Sequence, residues 1–252
     1  MITASPVLRW HRRTAAPALR LVCFPHAGGS ATFFRDWITS LPAGVDLVGV
    51  QYPGRGERLA EPPPTDLVAL AKDVARALTD LPPCPTVLFG HSLGAAVAYE
   101  TARSGVRATL LVVSGRTAPA DPGRQAHLFD DDELWREVAD SGGTSAQALA
   151  NPELRELLLP VLRADYRISE TYKPETEPLL RCPILVCTGD QDRDVELSEL
   201  AGWAALTTGR FDLKVFPGNH FYLSDDDSRV VGAVLNRAFA LPGVGAAWPV
   251  SP

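Results

Sequence analysis

A serine hydroxyl becomes a useful nucleophile only when a base removes its proton, and this chain holds five histidines that might serve one serine. That serine lies in Gly90-His91-Ser92-Leu93-Gly94, a G-x-S-x-G turn. The apolar run Thr86-Val87-Leu88-Phe89 precedes it and the small-residue stretch Ala95-Ala96-Val97-Ala98-Tyr99 follows it. Strand, sharp turn and helix in that order hold the hydroxyl away from the sheet. Glycine is needed at 90 and 94 because the strand and helix backbones approach too closely for side chains. Two further chemical groups follow strand-like runs. Asp190, Asp192 and Asp194 come after Pro183–Thr188, and His220 comes after Phe211–Phe216. Serine, acid and histidine in this order can carry out acyl transfer: histidine takes the serine proton, and the carboxylate fixes the imidazole tautomer. His91 lies inside the turn, His127 in a stretch without strands, and His11 reads as a surface residue. His26 follows a strand but precedes the serine, so His220 is the expected base. Asp190 sits against its strand end, where it can brace the turn, and Asp192 further out is the preferred acid. Local sequence leaves Asp190 and Asp194 open as alternatives.

These residues need a frame. Leu19–Phe24 reads as a strand running into Pro25-His26-Ala27-Gly28-Gly29-Ser30, then an amphipathic helix with Phe33, Phe34 and Trp37. A glycine-rich loop there, together with the residue after the nucleophile, predicts an oxyanion hole made by the backbone N–H groups of Ala27 and Leu93. Asp46–Tyr52 is a second strand, ending in a loop with Arg55 and Arg58. Local ion pairing and contact with an anionic partner are equally open for those two arginines. Thr65 is placed to cap a helix to about Leu81. After the strand near 108–114, the stretch 116–173 has no strand pattern. Asp130-Asp131-Asp132 opens a helix there, the sequence breaks at 141–145, and Pro152 starts a helix that Pro160 is expected to kink. The alternation of strands and helices implies a mostly parallel sheet covered by helices on both faces, and serine, acid and histidine in that order on its loops predict an α/β-hydrolase fold. The whole of 1–252 is expected to be one domain, with 116–173 inserted as a helical lid and a loose tail from 241 to 252.

Composition narrows the partners. The chain has 252 residues, a net charge of −6 and 46% hydrophobic residues. Three lysines accompany 21 arginines with no basic block, which argues against nucleic-acid binding. No apolar run approaches the ~18 residues of a membrane span, and the N-terminus lacks a signal-peptide pattern. Cys23, Cys84, Cys182 and Cys187 show no C-x-x-C spacing, so free thiols in a reducing, cytoplasmic setting are expected. Nothing in the sequence demands a second copy, and a monomer is expected.

Four motifs then narrow the field: Phe24-Pro25-His26-Ala27-Gly28-Gly29, Tyr52-Pro53-Gly54-Arg55-Gly56-Glu57-Arg58, the serine turn, and Phe216-Pro217-Gly218-Asn219-His220-Phe221. With Leu162-Arg163-Ala164-Asp165-Tyr166, they make the chain resemble the type II thioesterases, the stand-alone editing enzymes of polyketide and nonribosomal peptide synthases. Within that resemblance Ser92 matches the nucleophile, Asp192 the acid and His220 the base. Asn219 stands where glycine is more usual. The resemblance implies hydrolysis of acyl groups from the phosphopantetheine arm of a carrier protein through an acyl-Ser92 intermediate. It implies no metal or organic cofactor. His26, Trp135 and Leu158 are the expected substrate-binding side chains, with Leu157 and Val161 adding to an apolar acyl chamber. Carrier proteins are generally acidic, as is this chain, so docking must rely on local charge, with Arg55 and Arg58 as candidates. A medium-chain fatty-acyl thioesterase or general carboxylesterase is the nearest alternative. A carrier-binding scaffold without catalysis is the other, and the intact Ser92, Asp192 and His220 weigh against it.

Overall fold

The computed structural model describes residues 5–118, 125–144, 146–175 and 177–244. Seven strands form one sheet: β1 (Leu8–Arg12), β2 (Leu19–Phe24), β3 (Val45–Val50), β4 (Thr86–His91), β5 (Leu110–Ser114), β6 (Ile184–Gly189) and β7 (Phe211–Phe216). Their spatial order is β1-β3-β2-β4-β5-β6-β7. Only β1 runs antiparallel, pairing Leu8 with Val50; every other pair is parallel. This is the α/β class expected from the alternation of strands and helices.

Residues on the central strands β2 to β5 alternate between two cores. Val22, Val48, Leu88 and Val113 face one side, where α1 (Leu67–Thr79) and α2 (Leu93–Arg103) supply Leu70, Val74 and Val97. Leu21, Leu47, Phe89 and Val112 face the other. Both sides of the central strands are buried, as a parallel sheet requires. On the second side lies a 3-10 helix, Ala31–Thr39, which buries Ala31, Phe34 and Trp37. Their spacing of three matches the three residues per turn of that helix.

Among the described residues between β5 and β6 stand a short 3-10 helix, Ala126–Leu128, and the helices α3 (Asp131–Ser141), α4 (Ala146–Leu149) and α5 (Pro152–Glu170). Asp130 caps α3, accepting from the Glu133 amide at 2.8 Å while Glu133 returns a bond to the Asp130 amide. Asn151 caps α5, with Pro152 in the first turn, and the helix continues through Pro160 to Glu170. After β7, α6 (Tyr222–Asp225) and α7 (Asp227–Phe239) close the fold. Most of the expected loose tail, 245–252, lies outside the described residues.

Two local expectations are corrected. Asp66, not Thr65, caps α1, accepting from the Ala69 amide at 2.6 Å; it lies one residue nearer the apolar repeat that begins at Leu67. His11 is not a free surface residue. Its Nε2 lies 2.7 Å from the Ala31 carbonyl, and burial lowers its pKa.

The chain turns back on itself between β3 and β4, which lie on opposite sides of β2. Loops leaving β2 and β4 therefore separate at the carboxyl ends of their strands. A crevice opens there, the position at which open α/β sheets bind ligands.

Candidate active site

Ser92 occupies that crevice at the end of β4. Its φ of 55° and ψ of −118° make it the one non-glycine residue with positive φ among those described. A Cβ on Gly90 would stand 2.2 Å from the Gly94 carbonyl oxygen, and one on Gly94 would stand 2.1 Å from that of Phe24. The glycines therefore permit the strained turn by letting three backbone segments touch. The Ser92 amide donates to the Ser114 carbonyl at 2.8 Å, tying the turn to β5. Leu93 opens α2, where its N–H has no carbonyl one helical turn earlier, and the residue lines the crevice.

The loops after β6 and β7 are stitched together. Asp190 Oδ1 accepts from the Gly218 amide at 3.0 Å, and the Gln191 amide donates to the Gly218 carbonyl at 2.9 Å. Asp190 therefore braces the turn. Beyond it, Asp192 Oδ2 lies 2.9 Å from His220 Nδ1, with the carboxylate fully buried. Asp194 is 3.9 Å from the same nitrogen and 38% exposed. With Nδ1–H donated to Asp192, His220 keeps Nε2 as an acceptor on the crevice side. Ser92 and His220 line the same cleft.

Two further histidines crowd this base. The His91 ring lies 4.8 Å from that of His220, and its Nδ1 is 3.0 Å from Ser114 Oγ, which in turn lies 2.7 Å from the Tyr222 hydroxyl. Gly115, at φ +60°, fits beneath both rings; a Cβ there would meet His91 Cε1 at 2.8 Å. His26 packs edge-on to Phe33 and Phe221, at 4.6 and 4.8 Å. Burial, helped by the charges of His220 and Arg55, lowers the His26 pKa to about 3. Burial also lowers that of His91 well below the usual imidazole range. Both rings therefore stay neutral at working pH.

The cleft has a volume of about 1320 Å³. Ala27, Gly28, Ser92 and Leu93 line its sheet side, and Leu158, Leu162 and Tyr166 line the side formed by α5. Glu137, Asp140 and Glu170 also reach it, so its wall is more polar than the apolar chamber expected. His26 and Leu158 lie on the cleft as anticipated by their sequence positions, but Trp135 does not. Its indole packs beside Leu134, Val138 and Leu159 and donates to the Leu149 carbonyl at 3.2 Å. Of its expected companions, Leu157 is 55% exposed and Val161 is buried away from the cleft.

Arg55 and Arg58 are corrected as docking candidates, because both are buried. Arg58 is paired with Glu61 and donates to the Gln51 carbonyl. Arg55 forms a two-pronged pair with Asp165 of α5, at 2.5 and 2.8 Å. Neither guanidinium is free for a partner's surface. Asp165 had gone unassigned by role. Its signal was present in the sequence: an acid in register with Leu159, Leu162 and Ile168 on the buried stripe of α5 requires a partner.

Comparison with known proteins follows the same lines. The family model described as a thioesterase domain matches residues 19–239. Thioesterase PikA5 of Streptomyces venezuelae is 40% identical over 96% of this chain and 90% of its own length. A Streptomyces griseus protein named "Probable cadicidin biosynthesis thioesterase" is 41% identical over 88% of this chain, which spans 63% of that protein. Among solved structures, the type II thioesterase BorB from the borrelidin biosynthetic cluster superposes with a TM-score of 0.84 at 39% identity. That match covers 92% of this chain and 97% of BorB.

Proposed function

The chain belongs to the thioesterase family, and from that premise we propose that it is a type II editing enzyme that frees carrier proteins from acyl groups held as phosphopantetheine thioesters. In this proposal Ser92 Oγ attacks the thioester carbonyl carbon while His220 Nε2 takes the hydroxyl proton. The carbonyl oxygen becomes an oxyanion accepting from the Ala27 and Leu93 amides. Collapse breaks the C–S bond, the pantetheine sulfur leaves with the proton from His220, and acyl-Ser92 remains. Water then attacks the ester as His220 takes its proton, and a second tetrahedral intermediate collapses to the free acid and Ser92. Asp192 holds the Nδ1–H tautomer and stabilises the imidazolium formed in each half. Thiolate is a good leaving group, so oxyanion stabilisation and positioning carry most of the barrier reduction.

The observation supporting this reading most directly is the Asp192–His220 pair at 2.9 Å on the cleft that also exposes the strained Ser92 turn. Leu158, Leu162 and Tyr166 over the cleft support reading 116–173 as a lid that contacts the acyl chain. All the assigned residues lie on one chain, so the reaction needs only a monomer. The four unpaired thiols fit a cytoplasmic setting, beside the synthases.

Hydrolysis of acetyl-, propionyl- and longer acyl-carrier proteins, measured against the same acyl groups on p-nitrophenol, tests the proposal. Faster release from carrier thioesters is the expected result. A preference for oxygen esters without carrier dependence would replace it with the carboxylesterase reading. No turnover of either, with carrier binding intact, would leave the scaffold reading.

A further inference from the structure

The loop that carries Ala27 is gripped at three points by groups outside it. The Tyr52 hydroxyl donates to the Pro25 carbonyl at 3.2 Å. Asp165 Oδ2 accepts from the Gly28 amide at 2.8 Å. Arg55 Nη1 donates to the Gly29 carbonyl at 3.3 Å while its guanidinium holds both oxygens of Asp165. Inside the loop the Gly29 amide returns to the His26 carbonyl at 3.0 Å. Ala27 lies between these fixed points, and among the described residues its N–H has no acceptor while the residue lines the cleft. Packing reinforces the grip: a Cβ on Gly28, at φ +75°, would stand 2.5 Å from Leu162 of α5.

We propose that Asp165 and Arg55 are positioning residues for the oxyanion hole, aiming the Ala27 N–H at the carbonyl oxygen through the Gly28 amide and Gly29 carbonyl. The inference rests on Ala27 being an oxyanion donor in the mechanism above. An amide donor is effective in a transition state only if its direction is set beforehand, because reorientation during the reaction consumes the stabilisation it supplies. A loop with four small residues in succession, Ala27-Gly28-Gly29-Ser30, has no side-chain packing of its own to set that direction. A buried carboxylate accepting a backbone N–H, itself locked by a two-pronged arginine, provides the rigidity. It also explains why an acid stands on the apolar face of α5 and why an arginine buries itself beneath the β3 loop.

The test compares wild type with Asp165→Ala, Asp165→Asn and an Arg55→Met/Asp165→Leu double variant. Four quantities are measured: kcat and KM on a short acyl-carrier thioester, inhibition by an acyl trifluoromethyl ketone, and the melting temperature. The ketone adds Ser92 Oγ to its carbonyl carbon, passes the serine proton to His220, and places an oxyanion where the thioester would. For Asp165→Ala, kcat should fall by about 10- to 100-fold with KM within about threefold, and ketone affinity should fall by the same factor. Asp165→Asn keeps an acceptor for the Gly28 amide and should recover part of both losses. The double variant strands no buried charge and should remain folded, yet show the kcat loss of Asp165→Ala. A folded double variant with wild-type kcat would overturn the inference, as would losses confined to KM or ketone affinity unmoved while kcat falls. Ser92→Ala separates the two levels. If it retains turnover, or if wild type ignores the ketone, the catalytic assignment itself fails and the positioning role falls with it. If both controls behave and the Asp165 variants do not, the positioning role alone fails.

Discussion

On the sheet side of the cleft, main chain meets main chain: Gly90 against Gly94, Gly94 against Phe24, and the Ser92 amide against the Ser114 carbonyl. On the helical side, side chains hold the contacts. Arg155 reaches Asp132, and Arg163 reaches Asp131 and the Phe129 carbonyl, all at half-exposed or exposed positions around a small apolar cluster of Leu134, Val138, Leu159 and Leu162. A displaced backbone contact disturbs every bond around it, whereas exposed ion pairs contribute about 0–1 kcal/mol each and re-form readily. The Ser92 turn therefore sits on the wall that cannot yield, and Leu158 and Tyr166, which the proposed function sets against the acyl group, sit on the wall that can. α5 belongs to both, because Asp165 and Leu162 join it to the loop after β2.

Substitutions on the two walls should differ accordingly. Ser92→Ala should lower kcat on acyl-carrier thioesters by about 10⁴-fold or more while carrier affinity, read by calorimetry, stays within about twofold. Turnover left intact would remove the contrast at its root. Gly94→Ala drives a Cβ into the Phe24 carbonyl and should destabilise the fold by more than ~4 kcal/mol, seen as loss of the cooperative melt. Leu158→Ala, on the yielding wall, should change the ratio of kcat/KM between long and short acyl groups by about 10-fold with little effect on melting. Trp135→Phe gives up the bond to Leu149 and should cost about 1 kcal/mol of stability while leaving that ratio alone. Equal changes of chain-length preference in both variants would mean that Trp135 contacts substrate after all.

Acidity offers a finer comparison. The folded protein holds His26 near a pKa of about 3, below the ordinary value of 6.5. Unfolded chains therefore bind a proton there that folded ones refuse. Above pH 6.5 the stability is unaffected, and it declines as pH falls from 6.5 toward 3. His91 adds the same sign. Urea midpoints at pH 7.5 and pH 5 should differ less in His26→Asn than in wild type.

The sequence makes the backbone wall readable and the other wall much less so. Gly90 and Gly94 around Ser92 declare a close approach, because no other residue fits it, and alternating strand and helix patterns declare the parallel sheet. The acid needed tertiary information: Asp190, Asp192 and Asp194 share one loop, and only contact with His220 or Gly218 separates them. Trp135 lies off the cleft, and in sequence an apolar face on a covering helix looks the same whether it packs on its neighbours or on a ligand. Arg55 and Arg58 were ambiguous for a related reason. Charge in a loop suggests water or a partner, and the Asp165 that buries Arg55 is 110 residues away.

That separation has a kinetic side. Asp165 reaches the Gly28 amide across 137 residues of chain, with β3, β4, β5 and the helices α1 to α4 lying between them in sequence. Contacts so distant in sequence form late, once shorter loops have closed. During refolding, the sheet and its burial should be recovered before the loop after β2 acquires its final direction. Hydrolysis would then return more slowly than secondary structure, and a chain still growing past residue 92 would carry its serine turn without an operating oxyanion hole.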